Sequence, residues 1–343
     1  PVDFPLHAAH GLMGWLMQAL EWFASVPDAM WQQHAPPGWT ILVAVLGVAW
    51  LLAPRGFPAR LAGACLLLPM FLLAPMPVPP GTLQLTVLDV GQGLALVLRT
   101  ARHALVYDTG SRFSNEIDAG ARTVLPYLRA TGVSALDGLI ISHDDNDHSG
   151  GAVSVLDGVP VQWLLSSLPA EHAALNRGVP TIRCEAGQHW QWDGVGFEVL
   201  YPLPDAYTER RKDNDRGCVL RVTVGEHALL LPADIEMKSE RELLARVPDK
   251  LRAEVLIVPH HGSRTSSTPE FVAAVQPEVA IFTVGYRNRF QHPKPEVVAR
   301  YEALNAQLLQ SDTAGAIAIT MPGKGPIDIQ SYRNQNPRYW RGR

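Results

Sequence analysis

Three cysteines stand in the 343 residues, Cys65, Cys184 and Cys218, and no two are spaced as CxxC. This excludes a zinc ribbon and gives no sign of a disulfide scaffold. A Cys184–Cys218 pair stays open if that region faces an oxidising space, although spacing alone says nothing of geometry. No basic stretch opens the chain, so a cleaved signal peptide fits poorly. The chain begins with Pro1 rather than Met and is expected to be a piece of a longer protein or a processed product. Its formal net charge of -4 excludes a generally basic nucleic-acid binder while leaving room for local patches. There is no GxSxG elbow, no internal repeat and no long low-complexity segment.

Apolar residues are unevenly spread. Up to about Pro80 the chain is mostly apolar, and beyond it the composition is that of an ordinary soluble domain. Trp39–Ala53 (WTILVAVLGVAWLLA) and Leu61–Met76 (LAGACLLLPMFLLAPM) carry no charge. Both are shorter than the ~20 residues a helix usually needs to cross a bilayer, so each must borrow flanking residues to span. The expectation is about two transmembrane helices within residues 1–80, with Trp39 and Trp50 at the interfaces and Arg60 snorkelling. Gly11–Val26 carries Glu21 and reads as an interfacial or channel-side helix. Arg55 and Arg60 lie in the connector between the two runs, and the preceding connector has neither Lys nor Arg. The positive-inside rule then places residues 81–343 outside the membrane.

Pro75-Met-Pro-Val-Pro-Pro-Gly81 marks a domain boundary, because it is too rich in proline for helix or central strand. After it, short apolar runs between turn signals predict strands at Leu83–Leu88, Leu94–Leu98, Ala104–Tyr107, Leu139–Ser142, Trp163–Ser166, Phe197–Tyr201, Val219–Val224, Ala228–Leu231, Val255–Val258, Val279–Val284 and Ala316–Thr320. Helical spacing predicts helices at Arg122–Ala130, Ile235–Val247, Pro269–Val275 and Pro295–Leu309. Early meanders followed by alternating strands and helices predict an α/β fold of two sheets between helices.

One stretch does not behave as a plain loop. Ser142-His-Asp-Asp-Asn-Asp-His-Ser-Gly-Gly151 packs two histidines and three carboxylates into six residues directly after an apolar strand. Carboxylates so close repel one another unless something positive holds them. His143, Asp145, Asp147 and His148 can project from such a turn around one small volume, where metal ions would neutralise the charge. Two further strand ends deliver ligand types: Asp234 after Leu229–Ala233, and His260-His261 after Val255–Pro259. Three strand ends that each supply His or Asp point to a metal centre.

The spacing HxDxDH, followed by a strand-terminal Asp and then a strand-terminal His, resembles the metallo-β-lactamase superfamily. The longer set LDVGQG (88–93), YDTG (107–110), SHDDNDHSGG (142–151), NDRGCVL (214–220), LLPADIE (230–236), PHHGSRTSS (259–267) and QHP (291–293) is similar to the C-terminal domain of ComEC-type DNA internalisation proteins. The resemblance covers roughly residues 82–320, and the preceding apolar runs match the last membrane helices of that family's channel domain. It implies an αββα sandwich with two divalent metal ions. Its implied ligands are His143, Asp145, Asp147, His148, Asp234 and His261, with Asp234 bridging, His260 as the alternative to His261, and Asp108 orienting a ligating histidine. Asp145 stands where the wider superfamily commonly has His, and no motif-borne His lies between His148 and Asp234. His172, His189 and His227 fall in that interval without motif context. A site richer in oxygen favours Mn²⁺, with Zn²⁺ as the other candidate.

The implied activity is that of a metal-dependent nuclease that degrades the non-imported DNA strand during uptake. Asp147, Asp234 and His292 would be catalytic, and His292 would contact a phosphate oxygen or protonate the leaving group. Arg264, Arg287 and Arg289 are expected to bind phosphates of single-stranded DNA. Tyr339 and Trp340, between arginines in the C-terminal tail, are of the type that stacks on bases. The implied partners are DNA, the membrane, other components of the uptake machinery and the rest of the chain's own channel domain. The implied place is the inner (cytoplasmic) membrane, with the hydrolase on the periplasmic side. Two other readings stand beside this one: an inactive transport subunit, and a metallo-hydrolase of another phosphoester.

Overall fold

The computed structural model describes residues 3–26, 33–208 and 211–338. The chain divides into two compact units, Pro1–Pro75 and Met76–Arg343.

In the first unit the helix Asp3–Ser25 leaves every one of its residues at least partly exposed, Phe4, Trp15, Trp22 and Phe23 among them. Gly38–Leu51 forms a second helix, and the chain then turns back through a 3-10 segment, Arg60–Leu66, and a short helix, Leu68–Leu72. Gly47 and Gly63 allow the hairpin to close: a Cβ on either would lie 2.6 Å from the other's carbonyl oxygen. The Arg60 guanidinium donates to Leu51 O at the end of the second helix. Among the described residues no helix is long and apolar enough to cross a membrane, so the two expected transmembrane helices are not seen there. The 14 residues of Gly38–Leu51 reach only about 21 Å at ~1.5 Å per residue, against a hydrocarbon core of ~30 Å. The second apolar run is split into two short helices, the later one beginning at Leu68-Pro69.

Among the described residues the second unit contains fifteen strands. They are β1 (Thr82–Val87), β2 (Leu96–Arg99), β3 (Ala104–Tyr107), β4 (Leu136–Ile141), β5 (Val161–Ser166), β6 (Thr181–Arg183), β7 (His189–Trp192), β8 (Val195–Tyr201), β9 (Val219–Val224), β10 (His227–Leu231), β11 (Val255–Ile257), β12 (Val279–Phe282), β13 (Gln307–Gln310), β14 (Ile317–Pro322) and β15 (Asp328–Ser331). One sheet runs β15-β14-β1-β2-β3-β4-β5-β6 and the other β13-β12-β11-β10-β9-β8-β7. In each, an antiparallel meander passes into a parallel half, β3 to β6 and β10 to β13. Parallel neighbours require crossovers, which helical segments such as Leu125–Ala130, Met237–Arg246 and Pro269–Val275 supply on the outer faces.

Strand alternation builds the layers. On β4, Ile140 points between the sheets, and Leu139 and Ile141 point outward. The inner layer joins Leu85, Leu96, Tyr107 and Ile140 to Phe197, Leu220, Leu229 and Ile281, all buried. Outside, Leu139 and Ile141 pack with Leu125, Leu128 and Val155, while Leu230 and Leu256 pack with Leu243, Phe271 and Tyr301. Each such side chain contributes ~1.5–3 kcal/mol by leaving water. The architecture is the αββα sandwich.

Four strands escaped the sequence reading. β6, β7 and β15 are edge or near-edge strands with mixed polar content, and β13 was absorbed into the helix expected over Pro295–Leu309. That helix ends at Glu302, and Leu308 and Leu309 join the sheet beside β12. Cys184 and Cys218 form a disulfide with Cα atoms 6.0 Å apart, linking the end of β6 to the start of β9.

Candidate metal centre

The strand ends expected to deliver ligands converge. After β4 the chain enters the Ser142–Gly151 loop, whose short helix Asn146–Ser149 carries Asp147 and His148. Gly93 makes this approach possible: its φ is +133°, and a Cβ there would lie 2.4 Å from Asp147 O. Leu94 N–H donates to the same oxygen. The LDVGQG turn is therefore a platform beneath the metal loop. Asp234 follows β10, and His260 and His261 follow β11 in consecutive left-handed conformations, φ +50° and +53°. Such values are uncommon for residues with a Cβ and mark sites the surroundings over-determine.

Two overlapping groups of ligand atoms result, His143/His148/Asp234 and Asp147/His148/His261, each with its atoms within 4.8 Å of one another. His148 Nε2 lies 3.1 Å from Asp234 Oδ1 and 3.3 Å from His261 Nε2. His261 Nε2 is 3.3 Å from Asp147 Oδ2 and 3.4 Å from Asp234 Oδ2. His143 Nε2 is buried without a hydrogen-bond partner, although Asp145 Oδ2 stands 3.4 Å away outside bonding geometry. A buried nitrogen with nothing to bond, facing a His/Asp cluster, suits a divalent cation, so the residues fit the metal centre that the spacing implied.

Each buried imidazole is held by its other nitrogen. Asp108 Oδ2 is 2.8 Å from His148 Nδ1 and also accepts from Ser142 Oγ at 2.7 Å, while Oδ1 accepts from Ser142 N–H at 2.7 Å. Ser142 Oγ is 2.9 Å from His143 Nδ1, and Thr283 Oγ1 is 2.9 Å from His261 Nδ1. Ser142 and Thr283 were not foreseen, yet each sits at a strand end, the same signal that revealed the ligands. These partners leave the Nε2 atoms turned inward, the tautomer a metal needs.

Charges reinforce one another. Burial opposes the charge on His148, but Asp234 and Asp108 raise its pKa well above the ordinary range. Burial likewise opposes charge on Asp234, and His148 and His261 outweigh it, holding the carboxyl well below its usual range. For His261 the opposition of burial is overcome by Asp234 and Asp147, and its pKa rises. Burial pushes His260 down. Burial, with His261 and His260 nearby, pushes His292 down to about 4.

The remaining expected residues divide. Asp145 lies beside His143 but is 44% exposed and belongs to neither group. Of the two adjacent histidines, His261 joins a group; His260 is 3.8 Å from Asp234 Oδ2 and bonds Thr265 Oγ1 instead. His292 borders the site, its ring 6.0 Å from that of His260 and its Nδ1 without a partner. Arg289 stacks over Phe290, which stacks on His292, and Arg287 lies over Tyr286. Arg264 is paired with Glu296. His172 approaches Asp144 at 3.5 Å, whereas His189 and His227 bond backbone carbonyls at Gly187 and Gly325. Tyr339 and Trp340 lie outside the described residues.

The chain is 36% identical over 332 residues to Competence protein ComA of Neisseria gonorrhoeae, covering 96% of this chain and 45% of that protein. It is 32% identical over 332 residues to the uncharacterized protein YcaI of Escherichia coli, covering 96% and 41% respectively. The chain thus spans less than half the length of these relatives. Among solved structures, the metallo-beta-lactamase fold protein YhfI of Bacillus subtilis aligns at a TM-score of 0.45 and 12% identity, over 69% of this chain and 99% of that one. The model of the Metallo-beta-lactamase superfamily matches residues 88–285, more than half of the chain, and the chain belongs to that superfamily.

Proposed function

We propose that the Met76–Arg343 unit hydrolyses phosphodiester bonds of single-stranded DNA, as the part of a DNA-uptake apparatus that degrades the strand not imported. The observation that carries the hydrolase reading is the pair of His/Asp groups that share His148, with the Nε2 of their member His143 buried and unbonded. The choice of DNA is supported by the similarity to Competence protein ComA.

His143, Asp147, His148, Asp234 and His261 would hold two divalent ions, with Asp145 beside His143; Mn²⁺ is favoured by the share of carboxylates, and Zn²⁺ is the other candidate. Bound there, such ions polarise a phosphoryl oxygen and acidify water. The protein's own part is orientation. Asp108 and Ser142 fix His148 and His143, and Thr283 fixes His261. His292, neutral near pH 7, would offer an imidazole N–H to a phosphate oxygen rather than a proton to the leaving group. Arg287 and Arg289, exposed on the same loop, would meet the flanking phosphates. Arg264 would do so only after leaving Glu296.

The unit would lie on the outer side of the inner membrane, among the other components of the apparatus. The buried Cys184–Cys218 disulfide supports an oxidising surrounding. The many exposed apolar residues of Pro1–Pro75 support contact with lipid or with the rest of a channel domain.

The test incubates the chain with end-labelled single- and double-stranded DNA, with and without Mn²⁺ or Zn²⁺, beside Asp234→Ala. Metal-dependent cutting of single strands that disappears in the variant is expected. A wild-type chain that binds metal and cuts neither DNA under any ion would leave an inactive transport subunit or a different phosphoester as the reading.

A further inference from the structure

Tyr107 is fully buried at the end of β3, and none of the chemistry described above uses its hydroxyl. Burial holds this phenol well above its ordinary pKa, so it stays a neutral donor. The hydroxyl crosses between the sheets and donates to Cys218 O at 2.6 Å. Cys218, at the start of β9, is tied to the first sheet twice more. Its sulfur is bonded to Cys184, and its N–H donates to Ser142 O at 3.1 Å. Cys184 is itself anchored, its N–H donating to Ser166 O at the end of β5.

Two of the three ties, those from Tyr107 and Ser142, end beside residues of the metal centre. Ser142 is the residue before His143, and its hydroxyl bonds both His143 Nδ1 and Asp108 Oδ2. Tyr107 is the residue before Asp108, whose carboxylate holds His148. On the other sheet, Gly217 packs against Ala233, the residue before Asp234: a Cβ on Gly217 would meet Ala233 Cβ at 3.2 Å. A residue that served only the core would not need three polar or covalent links into the opposite sheet.

We infer that Tyr107 and the Cys184–Cys218 disulfide form one inter-sheet strut that sets the position of His143 relative to Asp234, and thereby the affinity of the His143-containing group for its ion. They are positioning residues and touch no substrate. The inference rests on the metal centre alone and not on the identity of the substrate, so a failed DNA-cutting assay leaves it standing.

The strut can be tested on the whole chain by Co²⁺ titration followed by visible absorption, with no enzymatic readout. His143→Ala identifies the step and the absorption band that belong to the His143 group. Tyr107→Phe, which keeps the ring and the disulfide, is expected to weaken that step by about tenfold and to shift its band, the lower end of the loss seen when the groups behind a ligand are disturbed. The step that survives in His143→Ala should weaken far less, since that group shares only His148 with the strut. Reducing the disulfide with a thiol-free phosphine should produce the same selective loss, reversed on reoxidation. If only one Co²⁺ binds, the same weakening and band shift are expected on that single step. Unchanged steps and bands alongside a lower melting temperature would overturn the inference, because the strut would then be merely structural. Equal weakening of two steps would overturn it as well, because the effect would then run through Asp108 and the shared His148 rather than through Ser142 and His143.

Discussion

Asp108→Asn offers a sharp perturbation of the candidate centre, because it changes charge and donor pattern while keeping shape. Asp108 is fully buried and sits at φ +58°, a left-handed conformation that Asn accepts as readily as Asp. The amide oxygen can keep the bond from Ser142 N–H, now made to Oδ1 at 2.7 Å. The amide nitrogen must then face Ser142 Oγ and His148 Nδ1, where the carboxylate accepted at 2.7 and 2.8 Å. The hydroxyl can rotate to accept. His148 cannot keep its proton on Nδ1 against an NH₂ group, so the proton moves to Nε2, the atom aimed at Asp234 Oδ1 and shared by both groups. A protonated Nε2 cannot ligate. Loss of such a partner weakens metal binding by ~10–100-fold, or about 1.4–2.8 kcal/mol, and sharing between the two groups places the effect towards the upper end. Competition against a chelator of known affinity measures it. A dissociation constant within about twofold of wild type, in a variant that melts normally, would refute the claim that Asp108 sets the His148 tautomer.

Three other outcomes are expected. Metal and proton compete for His148, whose pKa Asp234 and Asp108 raise against the opposition of burial. Apparent metal affinity should therefore climb with pH until that pKa is passed and level off above it, with protons released on binding in weakly buffered solution; an affinity flat between pH 6 and 9 would contradict this. His261→Ala should lose metal by more than tenfold and His260→Ala by far less, since only His261 joins a group of ligand atoms; equal losses would reassign the ligand. Gly150→Ala should destabilise the unit by ~1–3 kcal/mol, because the new Cβ would lie 2.2 Å from Arg112 N and 2.4 Å from Asn146 O, both backbone atoms that cannot rotate away. Calorimetry that shows a wild-type melt would mean that the loop has slack the structure does not show.

What could be read from the sequence follows from what each signal encodes. Apolar runs bounded by turns state that a strand exists, so β3 and β9 fell at their expected bounds. β6 and β7 carry Thr, Arg, His and Gln beside their apolar residues, and no periodicity separates them from loops. The overlong helix after Pro295 has the same origin: Leu308 and Leu309 continue a helical spacing by accident, and only pairing with β12 decides otherwise. Ligand types could be read because strand ends convert linear order into proximity. The choice between His260 and His261 could not, because one residue of backbone rotation separates pointing inward from pointing aside. Among the described residues the expected transmembrane helices are not seen, and the helices there end early for a related reason. Composition counted apolar residues, whereas Pro69 and the close packing of Gly47 against Gly63 decide where helices stop and turn.

The backbone around the centre explains why the site needs so large a scaffold. Asp108, Ala233, His260 and His261 all adopt positive φ, each at a cost of ~1–3 kcal/mol for a residue with a Cβ. No local sequence preference places four such residues together; they persist because bonds from distant strands fix them. Asp108 is held through both carboxylate oxygens by Ser142, and its N–H donates to Ile140 O on β4. His260 N–H donates to Ala233 O, so two strained turns on neighbouring strands restrain each other. Relaxing any of them would swing a ligand atom away from the cluster by more than a metal–ligand bond tolerates. The sandwich therefore serves the centre in two ways. Its inner apolar layer supplies the stability from which the strain is drawn, and its strand ends supply the points at which that strain is applied.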